Sequence, residues 1–366
     1  MIKNVAVVGC GIGRTHIVSY AAHPDKFRVV AICDLNDERL ASIGDEFGIE
    51  RRTKDYAEIL RMDDVDIVDV CTPPAVHLEQ ILAALAAGKN VVCEKPLVGS
   101  VADVDKVIEA EKQSRGRVLP IFQYRYGNGI MKAKHIIDQG LAGKPYLASV
   151  EVFWKRTAKY YDNPWRGRWE TELGGVLVTH AIHLHDLLTF IMGPVKSVFA
   201  RAATRVNNIE VEDCVAGSLE MQNGALASTA ATLGSQDEIS RLRFCFENVT
   251  FESSQKPYAP GDDPWKIIPA SPEVQAQIDQ AFEGWNFVPT RFEGLFAPYH
   301  EALVSGGELP ITLADARRSL ELLTAFYQSI ETERPQPVQV GPDHPRYANW
   351  SLANKGADIL RYTARA

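Results

Sequence analysis

The sequence predicts two domains of the α/β class: a doubly wound parallel sheet over residues 1–122, then an α+β domain with a large, mostly antiparallel sheet over 123–366. Two patterns and the length carry this reading. Short apolar runs alternate with amphipathic helical stretches up to residue 122, whereas beyond it strand-like runs follow one another across short turns. A chain of 366 residues is also too long for one ordinary core.

A β-branched run at 3–8 enters Gly9-Cys10-Gly11-Ile12-Gly13-Arg14 and then an amphipathic stretch to residue 22. Strand, glycine turn and helix in that order hold a pyrophosphate, because uncovered N–H groups at a helix start meet a backbone that can approach closely. The spacing is G-x-G-x-G, its third glycine one residue earlier than in G-x-G-x-x-G, so context makes Gly9, Gly11, Ile12 and Gly13 cofactor candidates. A second strand, 27–33, ends at Asp34, about 20 residues on, where a carboxylate accepts from ribose hydroxyls and repels a 2′-phosphate. NAD is expected, and NADP less so. Arg39 reads as a solvated helix residue.

Strand 67–71 runs into the turn Thr72-Pro73-Pro74, a helix covers 77–87, strand 91–93 follows, and a helix near 101–114 leads to strand 118–122. Such alternation means parallel βαβ units with right-handed crossovers. In Val91-Val92-Cys93-Glu94-Lys95-Pro96-Leu97 three apolar residues stop at a charged pair and a proline, which puts Lys95 at a strand's carboxyl end. That edge of an open α/β sheet is where ligands bind. The turns at Gly9, Asp34, Thr72 and Glu94 all follow strand ends, and their agreement outweighs any one motif.

Past residue 122, Gln123-Tyr124-Arg125-Tyr126 leads into a helix at 130–139, and strands are expected at 146–154, 195–206, 213–222, 225–233, 241–246 and 248–252. Residues 255–272 read as a long excursion rich in Pro, Asp and Gly, and 289–305 and 312–333 as closing helices. Within 174–186, Gly174 and Gly175 open a buried helix; at 3.6 residues per turn Thr179, His183 and Asp186 share a face and His185 does not. Polar groups in a row on an apolar helix are costly unless paired, which marks a site. His180 and His183 have a spacing a metal tolerates, but no further ligand cluster joins them, and no metal is expected. The stretch 154–169 interleaves aromatic faces, which stack on sugar rings, with guanidinium groups, which donate to hydroxyls or a carboxylate; Trp165 and Arg166 are the candidates there.

With 46% hydrophobic and 23% charged residues both domains are expected to be globular, and a net charge of -8 argues against nucleic acid or an anionic membrane as partner. Cys10, Cys33, Cys71, Cys93, Cys214 and Cys245 never form C-x-x-C, and four of them lie at or near the ends of expected strands, like buried thiols in a reducing compartment. No signal-peptide core precedes the first strand, and the apolar stretch 176–195 is broken by Thr179, three histidines and Asp186. A soluble, cytoplasmic protein without a membrane partner is expected.

Gly9-Cys10-Gly11 after the first strand, Cys71-Thr72-Pro73-Pro74 followed by His77, and Glu94-Lys95-Pro96-Leu97 resemble the glucose-fructose oxidoreductase, inositol dehydrogenase and MocA (Gfo/Idh/MocA) family of NAD(P)-dependent sugar oxidoreductases. The second half matches it too. The resemblance implies a Rossmann NAD-binding domain, with Lys95 as the family's catalytic lysine and Thr72, Pro73, His77 and Glu94 lining the ribose and nicotinamide. His183 aligns with the histidine of the family's D-x-x-x-H, while Thr179 stands where many members have aspartate; Asp186, one turn on, is the residue left to replace it. Arg125 matches an arginine common at the domain junction.

The activity implied is oxidation of a hydroxyl of a sugar, sugar derivative or polyol by hydride transfer to NAD. His183 would take the hydroxyl proton and Lys95 would hydrogen-bond the same oxygen, with Thr179 also at the reacting group. Arg125, Trp165 and Arg166 complete the expected substrate contacts, the last two also reaching the cofactor. Two alternatives stay open: an NAD-dependent glycosidase using transient oxidation, and a non-catalytic NAD-binding regulator. The likeness further implies a substrate-binding and oligomerising second domain, in a homodimer or homotetramer.

Overall fold

The computed structural model describes residues 1–353 and Leu360; the expected second domain runs on into residues outside these. The first elements are β1 (Lys3–Val8), α1 (Gly13–Ala21), β2 (Phe27–Cys33), α2 (Asp37–Phe47), β3 (Arg51–Thr53), α3 (Tyr56–Leu60), β4 (Ile67–Val70), α4 (His77–Ala86), β5 (Asn90–Cys93), α5 (Val101–Gln113) and β6 (Val118–Pro120). Then come α6 (Asn128–Asp138), β7 (Pro145–Lys155), α7 (Ile182–Met192), β8 (Val195–Ala203), β9 (Cys214–Met221), β10 (Leu226–Thr232), β11 (Gly234–Phe246), β12 (Val249–Glu252), β13 (Lys266–Pro269) and α8 (Pro272–Ala281). The last are α9 (Arg291–Ser305), α10 (Leu313–Thr332) and β14 (Gln336–Pro337).

Two compact units result: Met1–Phe122 with Phe292–Arg317, and Gln123–Arg291 with Arg318–Ala366. The boundary after Phe122 falls where the pattern changes. Residues 292–317, expected in the second domain, pack with the first unit instead, because α9 carries the aromatic rings that close its core. Phe296 stacks on Tyr20 of α1 with centroids 4.2 Å apart, and Phe292 lies 4.2 Å from the His16 ring.

The first unit holds a six-stranded sheet of order β3-β2-β1-β4-β5-β6, parallel throughout. Chain order reverses between β1 and β4, the switch point beside which open α/β sheets bind ligands. Val5, Ala6 and Val7 of β1 and Ile67, Val68 and Val70 of β4 are wholly or almost wholly buried, as a strand covered on both faces requires. The edge strand β3, Arg51-Arg52-Thr53, lacks an apolar run and was not expected.

The second unit is built on an eight-stranded sheet of order β13-β12-β11-β7-β10-β9-β8-β14. Its neighbours are antiparallel except β7 and β10, which run parallel. Gly224, at φ +87°, turns β9 into β10, and its N–H donates to Met221 O at 3.0 Å. The excursion at 255–272 contains β13, which pairs with β12 from Val249↔Pro269 to Glu252↔Lys266, and Ser271 caps α8 by accepting from Val274 N. Helix α7 packs against β7 and β11. Among the described residues no helix is long and apolar enough to cross a membrane.

Candidate functional site

In the first unit four strand ends stand in a row. Gly9 N–H donates to Cys33 O (2.7 Å), Cys71 N–H to Val8 O (2.7 Å) and Glu94 N–H to Val70 O (3.0 Å), so the residues leaving β2, β1, β4 and β5 are held side by side. Gly9 has φ +92°, and a Cβ there would lie 2.6 Å from Cys71 O; only glycine lets the two ends meet. Gly11 is exposed, and a Cβ on it would meet nothing within 4 Å. Its missing side chain therefore serves something outside the fold. Helix α1 starts just beyond with no side-chain cap on its N–H groups. Uncovered donors beside a glycine that leaves room are what a dinucleotide pyrophosphate needs, so these residues fit NAD. Gly13 packs helix on strand, a Cβ there falling 2.7 Å from Val7 Cγ1, while Ile12 stays 42% exposed at the rim.

Asp34 is aimed by the backbone. Its Oδ2 accepts from Cys10 N (2.8 Å) and its Oδ1 from Asn36 N (2.9 Å). Arg39, expected to be merely solvated, donates to Oδ2 at 3.1 Å. With two lone pairs per oxygen, Oδ1 keeps one for a ribose hydroxyl. Thr72 donates to Gln80 Oε1 (2.6 Å), and Pro73 is extended ahead of a 3-10 turn, Pro74–Val76. His77, expected to line the nucleotide, is fully buried with its ring nitrogens at Pro96 O (3.0 Å) and Thr72 O (2.8 Å). Burial pulls this imidazole down and the two carbonyls pull it back, so it fastens the turn after β4 to the turn after β5. Glu94 is buried, and its Oε2 accepts from the backbone N–H of Lys95 (3.1 Å), a half-buried residue. Cys10, Cys33, Cys71 and Cys93 are all buried; burial pushes the Cys10 thiol up to about 12 and the Cys33 thiol to about 11.

The second unit carries the other candidates. His183 of α7 stacks on Tyr124 with centroids 4.4 Å apart. Tyr124 lies in a 3-10 turn, Gln123–Arg125, whose Arg125 grips Asp186 through Nε–Oδ2 (2.8 Å) and Nη2–Oδ1 (2.6 Å). Asp186, considered as the stand-in for the aspartate missing at Thr179, thus gives both carboxylate oxygens to Arg125. That pair commits two nitrogens of Arg125, an expected substrate contact, to scaffolding.

Thr179 lies in a π-helical turn, Leu177–Ala181, that precedes α7 at Ile182, where the sequence led to the expectation of one continuous α-helix. Thr179 Oγ1 donates to Gly175 O (2.7 Å) and meets His180 Nδ1 at 2.6 Å. His180 in turn abuts the edge of Trp154 (4.9 Å). Arg156, missed in the sequence, lies 4.9 Å from Trp154 and 5.1 Å from Tyr160, held by Glu238 at 2.6 Å. Arg166 lies against Tyr160 (4.0 Å) and Trp165 (4.2 Å) and donates to Glu172 at 2.8 Å. The loop after β7 and the π-turn therefore form one aromatic and guanidinium cluster. His185 bonds Thr229 Oγ1 (2.9 Å), and burial pushes it down to about 4, as for a neutral core histidine.

Glu212, unremarked in the sequence, anchors the start of this helical segment. Its Oε1 accepts from Gly175 N (3.0 Å), Leu177 N (3.0 Å) and Tyr327 OH (2.9 Å). Gly175 is required because a Cβ there would lie 1.7 Å from Glu212 O. Burial raises the Glu212 carboxyl to about 7, against the pull of those donors. A raised acid stabilises the fold fully below its ordinary value near 4.5, and that stability is lost as pH climbs through 7. Glu212→Gln keeps an amide oxygen for the N–H groups but does not titrate. Denaturant unfolding at pH 5 and pH 8 should show the parent losing on the order of 3 kcal/mol more than the variant across that interval. Equal losses would refute the assignment.

Known proteins bear on this geometry. The model of the oxidoreductase family with an NAD-binding Rossmann fold, Gfo/Idh/MocA, matches residues 3–122, and the Gfo/Idh/MocA C-terminal domain model matches residues 130–252. An uncharacterized oxidoreductase, YrbE, of Bacillus subtilis is 30% identical over 235 residues, 62% of this chain and 67% of the relative. Inositol 2-dehydrogenase of Salmonella typhimurium is 32% identical over 212 residues, 57% of this chain; the match spans 61% of that enzyme, less than two thirds of its length. The crystal structure of the WlbA dehydrogenase from Bordetella pertussis, in complex with NADH and UDP-GlcNAcA, has a TM-score of 0.82 at 28% identity, covering 93% of this chain and 100% of that one. The glycine turn, the strand-end row with its Glu94-Lys95-Pro96 step and both family models agree: the chain belongs to the Gfo/Idh/MocA family of NAD-binding oxidoreductases.

Proposed function

We propose that the chain is an NAD-dependent dehydrogenase that oxidises a hydroxyl of a sugar, sugar derivative or polyol. The observation that carries this reading is the setting of Lys95, a half-buried residue leaving β5 in the same row of strand ends as the glycine turn and Asp34. The name of the Salmonella relative, inositol 2-dehydrogenase, and the UDP-GlcNAcA bound to the Bordetella dehydrogenase support the substrate class. NAD, when bound, accepts the hydride that leaves the carbinol carbon. His183 takes the hydroxyl proton, while Lys95 donates to the same oxygen as its charge grows, so the C–O–H unit becomes a carbonyl. Thr179, Trp165, Arg166 and Arg125 shape or steady the substrate side, and Thr72, Pro73 and Glu94 the nucleotide side.

Residues 1–122 serve as the NAD-binding domain and 123–366 as the domain for substrate and assembly. Leu147 and Leu226, paired in register on β7 and β10, are 48% and 54% exposed, which supports a homodimer or homotetramer. Light scattering that returns a monomer mass would remove that part. A soluble, cytoplasmic enzyme completes the reading. The deciding experiment is NADH formation across a panel of aldoses, polyols and uronates. At least one should support turnover. Cleavage of a glycoside without net NADH would make the chain a glycosidase, and NAD binding with no turnover of either kind a regulator.

A further inference from the structure

Under the row of strand ends in the first unit lies a buried polar cluster of which the proposed chemistry uses only Glu94. His16, on the inner face of α1, is 0% exposed. Its Nδ1 stands 2.8 Å from Asp69 Oδ2 and its Nε2 3.1 Å from Glu94 Oε1. Asp69, inside β4, is also 0% exposed, and Cys71 Sγ approaches its Oδ1 at 3.4 Å and His16 Nδ1 at 3.5 Å. From α9 the Phe292 ring covers the imidazole at 4.2 Å. The other titratable groups facing the cluster are Tyr20 of α1 and Tyr299 of α9, whose phenols burial and Asp69 both push up, keeping them neutral.

Two carboxylates flank one imidazole, and an ionised carboxylate can only accept. With both carboxylates ionised, each ring nitrogen donates to one of them. Burial works against a charged ring, but the contacts with Asp69 and Cys71 together outweigh it, and His16 is held well above its ordinary range. Glu94 carries the consequence outward, since one of its oxygens meets His16 and the other accepts the backbone N–H of Lys95 at 3.1 Å.

We propose that His16 is a positioning residue: an imidazolium bridging Asp69 and Glu94, it fixes the Glu94 carboxylate under the Lys95 amide and so sets where the Lys95 ammonium stands. This rests on the role proposed for Lys95. A buried, doubly donating ring can hold both enclosed carboxylates at once. A displacement of about 1 Å at a reacting group costs on the order of 10²-fold in rate.

Two measurements test it. In the full chain with 15N-labelled histidine, one imidazole should remain doubly protonated at pH 9, and its signal should be missing from His16→Gln. No such imidazole in the parent protein overturns the proposal without any variant having to fold, as does a stoichiometric metal ion in the purified protein bound through His16, Asp69 and Cys71. In kinetics, His16→Phe, which keeps the ring packing but has no donor, should lower kcat about 10²-fold with KM and the NAD dissociation constant within about threefold. His16→Gln, which retains one N–H donor for Glu94, should recover part of that loss. A normal kcat in His16→Phe, beside a Lys95→Ala variant that is inactive, sinks the positioning role and leaves the function standing; a fully active Lys95→Ala instead sinks both, since Lys95 then has no chemistry to position.

Discussion

Replacing Lys95 with alanine is expected to lower kcat by about 10³-fold and to leave the NAD dissociation constant within about threefold of the parent. The split follows from what each group does. In the proposed reading pyrophosphate and ribose are met by the glycine turn, the uncapped start of α1 and Asp34, none of which the substitution touches. The role proposed for the ammonium, in contrast, falls when the substrate oxygen is losing its proton and gathering charge. A donor used only then shows in kcat rather than in ground-state affinity. Lys95→Arg should not restore the rate, because a planar guanidinium cannot occupy the place of a compact ammonium. His183→Asn should fall by a similar factor, and the double variant little further, since removing either partner of a unit acting on one oxygen already forfeits most of its effect. Stopped-flow turnover with calorimetric NAD titration reads both quantities. A Lys95→Ala enzyme with near-parental kcat would take Lys95 out of the reaction.

The first sheet was legible because a strand buried on both faces carries an apolar run and stops where the chain meets solvent; 5–8 of β1 and 91–93 of β5 are such runs, and β4 is one but for Asp69. The second sheet was legible as a succession of strands. Its outer strand β13 was not, since a partly exposed edge strand between proline-rich turns has no apolar alternation to announce it. The polar groups under the nucleotide edge left a trace that went unread: Asp69 is a lone acid inside Ile67-Val68-Asp69-Val70, and a charge in a buried strand demands a partner, which proved to be His16 on the inner face of α1. The π-turn at Leu177–Ala181 left none, because periodicity was counted at the α-helical value, and the wider turn is set by Glu212, far along the chain. Nor does local pattern say that 292–317 packs with the first unit; that depends on Phe292 and Phe296 finding His16 and Tyr20.

Asp186→Ala should cost the fold about 3–5 kcal/mol, the largest stability loss anticipated for a single residue of the second unit. The Arg125 and Asp186 side chains are only 8% and 2% exposed, and they meet through two parallel hydrogen bonds. Deleting the carboxylate leaves a guanidinium enclosed beside Phe190, whose ring centre is 5.1 Å away and cannot replace a full counter-charge. Arg125→Met with Asp186→Leu should recover most of the stability, because two apolar side chains of similar bulk need no charge compensation. The double variant also separates stability from placement. The pair ties the turn carrying Tyr124 to the helix carrying His183, and those two rings stack at 4.4 Å. With the tie gone and the fold restored, kcat should still fall by about tenfold or more while NAD affinity holds, since the glycine turn and Asp34 proposed to hold the nucleotide are untouched. Urea unfolding of the three proteins, followed by kcat on the same preparations, gives both answers. A loss below about 1 kcal/mol for Asp186→Ala would mean that the pair is solvated rather than enclosed, and the account of how α7 is held would have to be abandoned.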